Sequence, residues 1–462
     1  MADAVPARIA VVGGGWAGCA AAVTLAAAGM PVTLFEQAKT LGGRARRIVV
    51  DGIALDNGQH VLLGAYRQTL ALLHTVHPAG EAARLFHRVP LTLRPFGERL
   101  PEEIELTAWN APPPLHLAGG ALSAKGLSWR ERFALIAGFR NLQKAERQHA
   151  ADESVASRFA ATPRHAFTEV WQPLCLAALN TPPERASARA FANVLVSAFG
   201  GTARDSDLLV PAVDLSACFP DAAARFIATR NGVVRCGVTV RGIESAGGTV
   251  TLQAGANVET FAAAIIAVGP HQLGPMLNDG ANSARALEQP RAQVAGFTYE
   301  SITTIYLGLT YRVPFSIPML RLDDAPGQWV FDRSGALGTD APPGTAGLIA
   351  VVISASGPHD ALDQRTLAAN VEAQLRRRAP DLPSVTFSRV IAERRATYAC
   401  TPGLARPKGG RIDDGIYLAG DYTDAEFPAT LESATRSGVG AANELIADSA
   451  GAAAARGSTR AP

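Results

Sequence analysis

The stretch IAVVGGGWAGCAAAVTLAAAGMPVTLFEQ, residues 9–37, limits what this chain can fold into more than any other part of it. It carries no charge between Arg8 and Glu36, so hydropathy alone would admit a spanning helix of about 20 residues or an export signal. The glycines decide against both. Ile9-Ala10-Val11-Val12 is a short apolar run of the kind that forms a buried strand. Gly13, Gly15 and Gly18 follow in G-x-G-x-x-G spacing, an Ala-rich helical stretch ends at Gly29, and Val32-Thr33-Leu34-Phe35 gives a second strand closed by Glu36. Strand, tight turn, helix and strand make one βαβ unit. In such a unit Gly13 permits the turn, Gly15 lets the backbone approach a pyrophosphate, and Gly18 seats the helix against the sheet. The helix N-terminus offers its free N–H groups to the phosphates. Glu36 lies eighteen positions past Gly18, close to the ~20 expected of an acid that binds a ribose hydroxyl. The stretch is predicted to hold a dinucleotide.

A chain of 462 residues has room for two or three domains at roughly 150 residues each. No second stretch approaches a spanning length, so any membrane contact is expected to be peripheral. The net charge of +2 gives no reason to expect nucleic acid. Cys19, Cys175, Cys218, Cys236 and Cys400 are scattered, with no CxxC pair and no histidine at ligand spacing. Neither a structural metal nor a redox disulfide is therefore expected. With no export signal, the expected compartment is the cytoplasm.

Further along, Leu41-Gly42-Gly43-Arg44 is a second glycine turn, and Asp56-Asn57-Gly58-Gln59-His60 precedes a helical pattern over 66–74. The region 80–205 is mixed and poor in polar residues, with helical stretches around 129–147 and 164–179, and could wall an apolar cavity. From 213 the first pattern resumes: a helix over 221–230, a strand over 233–241, a hairpin of 249–252 with 259–261, and a buried strand, 264–268, stopped by Gly269-Pro270. Residues 285–400 suit a second, mostly antiparallel sheet with a helix near 367–378. Tyr417-Leu418-Ala419-Gly420-Asp421 is strand into tight turn, and Pro428 opens a last helix to about 446. The Ala/Gly/Ser/Arg-rich tail from Ser449 reads as disordered. The predicted fold is α/β: a Rossmann-type dinucleotide domain assembled from residues 1–79, 213–284 and 405–447, a mixed α+β substrate domain from 80–212 and 285–404, and a disordered tail, 448–462.

The G-x-G-x-x-G, its strand-end acid and Leu41-Gly42-Gly43-Arg44 together resemble the FAD-binding start shared by amine oxidases, polyene desaturases and protoporphyrinogen oxidases. The late Tyr417-Leu418-Ala419-Gly420-Asp421 with its following helix is similar to the closing FAD motif of that superfamily. This pairing at opposite ends of the chain implies FAD rather than NAD, and no second G-x-G-x-x-G marks a nicotinamide site. Within the superfamily, Asp56-Asn57-Gly58-Gln59-His60-Val61-Leu62-Leu63-Gly64-Ala65-Tyr66, Trp171-Gln172-Pro173-Leu174-Cys175, Leu179-Asn180-Thr181-Pro182 and Pro428-Ala429-Thr430-Leu431-Glu432 resemble the bacterial hydroxysqualene dehydroxylases of hopanoid biosynthesis. The resemblance spans most of the chain up to about 447 and is least distinct over 318–345.

That resemblance implies reductive removal of a hydroxyl from hydroxysqualene to give squalene, with hydride passing from reduced flavin to an allylic-type cation. It implies an external electron donor, NAD(P)H or a reductase, and, for so apolar a substrate, peripheral contact with the inner face of the cytoplasmic membrane. Two alternatives stand beside it: an oxidative polyene desaturase on the same fold, and a non-catalytic prenyl-lipid carrier, which would be expected to lose the FAD motifs. To Gly13, Gly15, Gly18 and Glu36 the resemblance adds Gly43 and Arg44 over the pyrophosphate, Gly58 and Gln59, Val240 through its backbone to adenine, Gly420, Asp421 and Leu431. Arg44 could instead be a solvated turn residue, and Val240 a plain core valine. His60 either lends a proton or positions a substrate oxygen, or else packs on the flavin. Tyr422 either reaches the cavity with its hydroxyl or covers the flavin. Asp56 reads as a brace for its turn. Residues 127–142 carry Trp129, Phe133 and Phe139 beside Arg130, Arg132 and Arg140, which suits an interfacial helix as well as one packed on its own domain.

Overall fold

The computed structural model describes residues 8–148, 152–274 and 284–458. Ile9–Val12 is buried on both faces and pairs in parallel with Val32–Glu36 on one side and Ala263–Ile266 on the other. Val233–Cys236 extends the sheet beyond Val32–Glu36, Ile416–Leu418 extends it beyond Ala263–Ile266, and Gly410–Asp413 closes that edge antiparallel. Continuous apolar runs such as IAVV and AAII suit strands covered on both faces. One sheet thus joins three stretches that lie far apart in sequence.

The helix Trp16–Ala27 crosses between the first two strands. Its alanines and Gly18 leave it thin enough to be pressed between sheet and closing helix. A Cβ on Gly438 of the closing helix, Leu431–Ser458, would stand 2.1 Å from the Ala17 carbonyl oxygen. Gly29, at φ +76°, ends the first helix. Its N–H bonds Ala26 O, and the Met30 N–H bonds Leu25 O, which satisfies carbonyls the last turn would leave unpaired.

The second sheet is antiparallel. Tyr299–Leu309 lies between Gly347–Ser354 and Val385–Tyr398, and Trp329–Asp332 and Met319–Arg321 continue it beyond Gly347–Ser354. Alternation along the strands sorts its two faces: Val330 packs with Leu367, Val371 and Leu375 of the helix Gln364–Arg378, while Trp329 and Phe331 turn the other way. That other face looks across an apolar cavity at the helix Ala188–Phe199.

Three elements differ from the sequence expectation. The strand expected over 233–241 is two strands. Val233–Cys236 belongs to the parallel sheet, and Val240–Ala246 joins Thr249–Ala254 and Asn257–Phe261 in a separate antiparallel sheet. Gly237, at φ +74°, turns the chain between them. The helix expected over 164–179 contains a π-helical turn at Phe167–Trp171 before Gln172–Leu179, and ends where Asn180 adopts φ +46°. The closing helix starts at Leu431, where the Thr430 Oγ1 accepts from Ser433 N and the Ser433 Oγ accepts from Thr430 N. It continues to Ser458, so the stretch 449–458, expected to be disordered, is helical, in keeping with its alanine content. Residues 459–462 lie outside the described residues.

Candidate active site

A cleft of about 710 Å³ runs along the C-terminal ends of the parallel strands, the usual ligand position of an open α/β sheet. Of the expected cofactor residues, Gly13, Gly15, Glu36, Gly43, Arg44, Gly58, Gln59, Gly420, Asp421 and Leu431 line it. Gly18 and Val240 do not.

The three glycines of the first turn are required for different reasons. Gly13 has φ +105°, and a Cβ there would meet the Ala267 carbonyl oxygen at 2.6 Å. A Cβ on Gly18 would stand 1.8 Å from the Gly13 oxygen, so Gly18 serves helix–strand packing. At Gly15 the protein itself makes no such demand, because the nearest atom to an added Cβ is the Gly43 Cα at 4.0 Å. Its open side faces the cleft. The helix that follows has no side-chain N-cap and no acid in its first turn, which leaves its first N–H groups for an anion. A bare glycine cradle beneath an uncapped helix start is what a pyrophosphate needs, and the residues present fit FAD.

Glu36 is largely buried, accepting from Gly14 N at 2.6 Å and Ala38 N at 2.8 Å. The carboxylate therefore fixes the glycine turn as well as facing the cleft. Glu36→Ala is expected to weaken FAD binding by roughly 1–3 kcal/mol, the range for leaving hydrogen-bonding groups unpaired. Flavin retention on dialysis measures it, and unchanged retention would remove Glu36 from the cofactor contacts.

Arg44 is not a solvated turn residue. Its Nη2 stands 2.6 Å from Asp421 Oδ2, its Nη1 donates to Ala396 O at 2.7 Å, and Asn57 Nδ2 bridges Arg44 O and Glu393 Oε2 at 3.1 Å each. Burial works against the guanidinium charge, Asp421 beside it outweighs the burial, and its pKa stands raised. The Gly43-Arg44 turn and the Gly420-Asp421 turn, at opposite ends of the chain, are thus tied together across the cleft. Val240 is buried in the small antiparallel sheet, and its side chain takes no part in the lining.

The two catalytic candidates are placed differently. His60 lines the cleft, but burial, with Arg44 nearby, lowers its pKa to about 4. At neutral pH its imidazole is uncharged, with one ring N–H left to donate a hydrogen bond. Tyr422 is fully buried, packed in the apolar core rather than lining the cleft. Burial raises its pKa strongly, and its hydroxyl has no hydrogen-bond partner among the described residues.

A second, apolar cavity of about 180 Å³ abuts the cleft. It is walled by Leu174 and Leu176, by Val194, Leu195 and Phe199, and by Trp329 and Phe331 of the second sheet. Gln59, Val61, Tyr66, Ala177, Ala178, Asn180 and Ile302 line both spaces and form the seam between them.

Behind the seam lies a polar cluster that no motif announces. Arg333 and Asp56 are each about 3% exposed and form an ion pair at 2.8 Å. Arg333 also donates to Pro211 O and Val213 O, and Asp56 accepts from Leu215 N at 2.8 Å. The Tyr306 hydroxyl donates to Asp56 O at 2.8 Å and accepts from Gln59 Nε2 at 2.6 Å. Asp56 does brace its turn, through a partner on the second sheet. Among the described residues no three His, Cys, Asp or Glu are grouped so as to hold a metal ion.

The model of the flavin containing amine oxidoreductases matches residues 16–446. The chain is 27% identical to a hydroxysqualene dehydroxylase of Rhodopseudomonas palustris over 457 residues, covering 95% of this chain and 98% of that one. It is 24% identical to a hydroxysqualene dehydroxylase of Zymomonas mobilis over 463 residues, covering 95% of this chain and 99% of that one. Among solved structures, an oxidoreductase from Methanosarcina mazei superposes with a TM-score of 0.70 at 16% identity, over 95% of this chain and all of that one.

Proposed function

This chain belongs to the flavin containing amine oxidoreductases, and from that premise we propose that it reductively removes the hydroxyl of hydroxysqualene to give squalene. The observation that carries the reading is the seam: a cleft fit for FAD opens directly onto a cavity walled by aliphatic and aromatic side chains. The two full-length relatives of that name support the substrate. Bound and reduced, FAD would supply hydride. The chain's own part is to bind the cofactor through the residues that line the cleft and to hold an apolar chain against it. The cavity keeps water from a carbon that has lost its hydroxyl. An external donor, NAD(P)H or a reductase, must restore the reduced flavin. We assign residues 1–79, 213–284 and 405–447 to the FAD-binding unit, and 80–212 with 285–404 to the substrate unit. A desaturase on this fold would pass electrons from lipid to flavin. Incubating the enzyme with hydroxysqualene and a reductant, then identifying products by mass, separates the two: squalene is expected, and a product with additional double bonds would exclude dehydroxylation.

The substrate resides in a bilayer, and among the described residues no helix is long and apolar enough to cross one. We place the protein on the inner face of the cytoplasmic membrane, docked through the start of the helix Trp129–Gln148. Trp129, Phe133, Trp109 and Leu115 are each more than half exposed, and the Arg132 guanidinium lies over the Trp129 ring at 4.7 Å. Phe139, further along, turns inward against Phe199 of the cavity wall, with ring centroids 5.8 Å apart. An exposed aromatic group rimmed by arginines and backed by the cavity wall suits an anionic membrane surface. Replacing both Trp129 and Phe133 with Ser should abolish flotation with anionic liposomes while the protein stays folded and yellow. Undiminished flotation would place the anchor elsewhere.

A further inference from the structure

We propose that Tyr66 donates the proton that turns the departing hydroxyl into water; the proposal rests on the dehydroxylation reading above. Loss of hydroxide from carbon is unfavourable in an apolar site, so an acid must stand where cofactor and substrate meet. That place is the seam, and its seven residues can be taken in turn. Val61, Ala177, Ala178 and Ile302 have no polar side-chain atoms. Asn180 is fully engaged: its Nδ2 donates to Ser301 O at 3.2 Å and Thr397 Oγ1 at 3.0 Å, and its Oδ1 accepts from Ala355 N at 2.7 Å. Gln59 directs its Nε2 to the Tyr306 hydroxyl, and an amide is not an acid. Tyr66 carries the one O–H of the seam.

Its position is built. Tyr66 immediately precedes the helix Arg67–Val76, which has no side-chain cap of its own. The first N–H groups of that helix, at Gln68 and Thr69, are instead bound by the Glu432 carboxylate at 2.9 Å each, and the Thr69 hydroxyl adds a third bond at 2.7 Å. Glu432 is the second residue of the closing helix, so two helix starts are clamped together with Tyr66 between them. The Tyr66 hydroxyl lies beside Thr430, the cap residue of the closing helix. Burial, with Glu432 nearby, raises the Tyr66 pKa. The phenol is therefore protonated at neutral pH, with its O–H free to be given to a leaving oxygen.

The step balances. The C–O bond breaks with its electron pair going to oxygen, which takes the Tyr66 proton and leaves as water. Bound, reduced FAD would supply the hydride that this carbon takes up, its two electrons matching the reduction of the carbon. The tyrosinate recovers a proton from solvent. His60 lines the cleft but not the apolar cavity, and Tyr422, enclosed in the core, lines neither.

Tyr66→Phe holoenzyme, reduced anaerobically, should retain its FAD. It should reoxidise with hydroxysqualene about 10²–10⁴ times more slowly than the native enzyme, the usual range for a general acid. The acetate ester of hydroxysqualene leaves as a carboxylate and needs no such proton, so on it the variant should come within roughly tenfold of native. Full-rate turnover of the alcohol by Tyr66→Phe would overturn the proposal, as would equal losses on alcohol and ester. Failure of native enzyme to consume hydroxysqualene would overturn the dehydroxylation reading itself, and Tyr66 as its acid with it.

Discussion

Gly15→Val is expected to purify as a folded, colourless protein. The added side chain would project from a Cβ whose nearest protein neighbour is 4.0 Å away, so the chain itself has space for it. That space is the cradle over which a pyrophosphate must lie, and backbone and branched side chain cannot both be close to it. Overfilling a fitted site costs about 1–3 kcal/mol and sometimes more, so FAD affinity should fall by on the order of a hundredfold. Gly18→Ala provides the contrast. Its Cβ would stand 1.8 Å from the Gly13 carbonyl oxygen, and backbone cannot yield there without parting helix from strand. That variant should lose folded protein rather than flavin alone. Flavin absorbance and the thermal midpoint, measured on both, separate the two effects. A Gly15→Val protein with full flavin absorbance would contradict the cradle, and one that failed to fold would show that protein packing, rather than the cofactor, requires the glycine.

Arg333→Met should lower the unfolding free energy by about 3–5 kcal/mol, the cost of leaving one charge of a buried pair uncompensated. Asp56 is held by Arg333, by Leu215 N and by burial among apolar neighbours. Burial pushes its pKa up to about 6 from the ordinary carboxylate value of 3.8, and Arg333 keeps it from going higher. Without the guanidinium the pKa must rise further. A carboxyl whose folded pKa lies above its unfolded one contributes stability that is complete below about pH 4 and is lost as pH rises through the folded pKa. The variant's deficit should therefore be larger at about pH 8 than at about pH 5, where a protonated Asp56 can stay buried. Urea unfolding at both pH values measures it. A deficit below about 1 kcal/mol, or one independent of pH, would show that the pair does not secure the loop between Asp56 and His60.

What could be read without coordinates was local. Residues 9–37 announce strand, turn, helix and strand because each element is set by neighbours a few positions away. The tie between Arg44 and Asp421 spans most of the chain, and each residue looks like an ordinary turn residue by itself. Arg333 sits at the end of a strand with no motif around it, and its partner is known only once the second sheet is in place. Apolar and other residues alternate straight through Gly237 from Val234 to Arg241, so only the left-handed Gly237 reveals two strands in two sheets. Tyr422 misleads for a conformational reason. Gly420 takes φ +152°, and a Cβ there would lie 2.3 Å from the Tyr422 ring, so the turn folds that ring back into the core. Tyr66 stands in a quoted motif, yet from sequence it marks only a helix start. Its place at the seam depends on Glu432, more than three hundred residues away, binding the first amides of that helix.

The direction of electron flow is the central claim, and one stopped-flow measurement addresses it. Photoreduced holoenzyme is mixed anaerobically with hydroxysqualene while the flavin absorbance is followed and the lipid is recovered. Dehydroxylation predicts return of the oxidised flavin spectrum with one squalene formed per flavin, since one hydride leaves each reduced flavin. A reduced flavin that ignores hydroxysqualene, together with an oxidised enzyme that bleaches when squalene is added, would contradict the account and make this protein a desaturase.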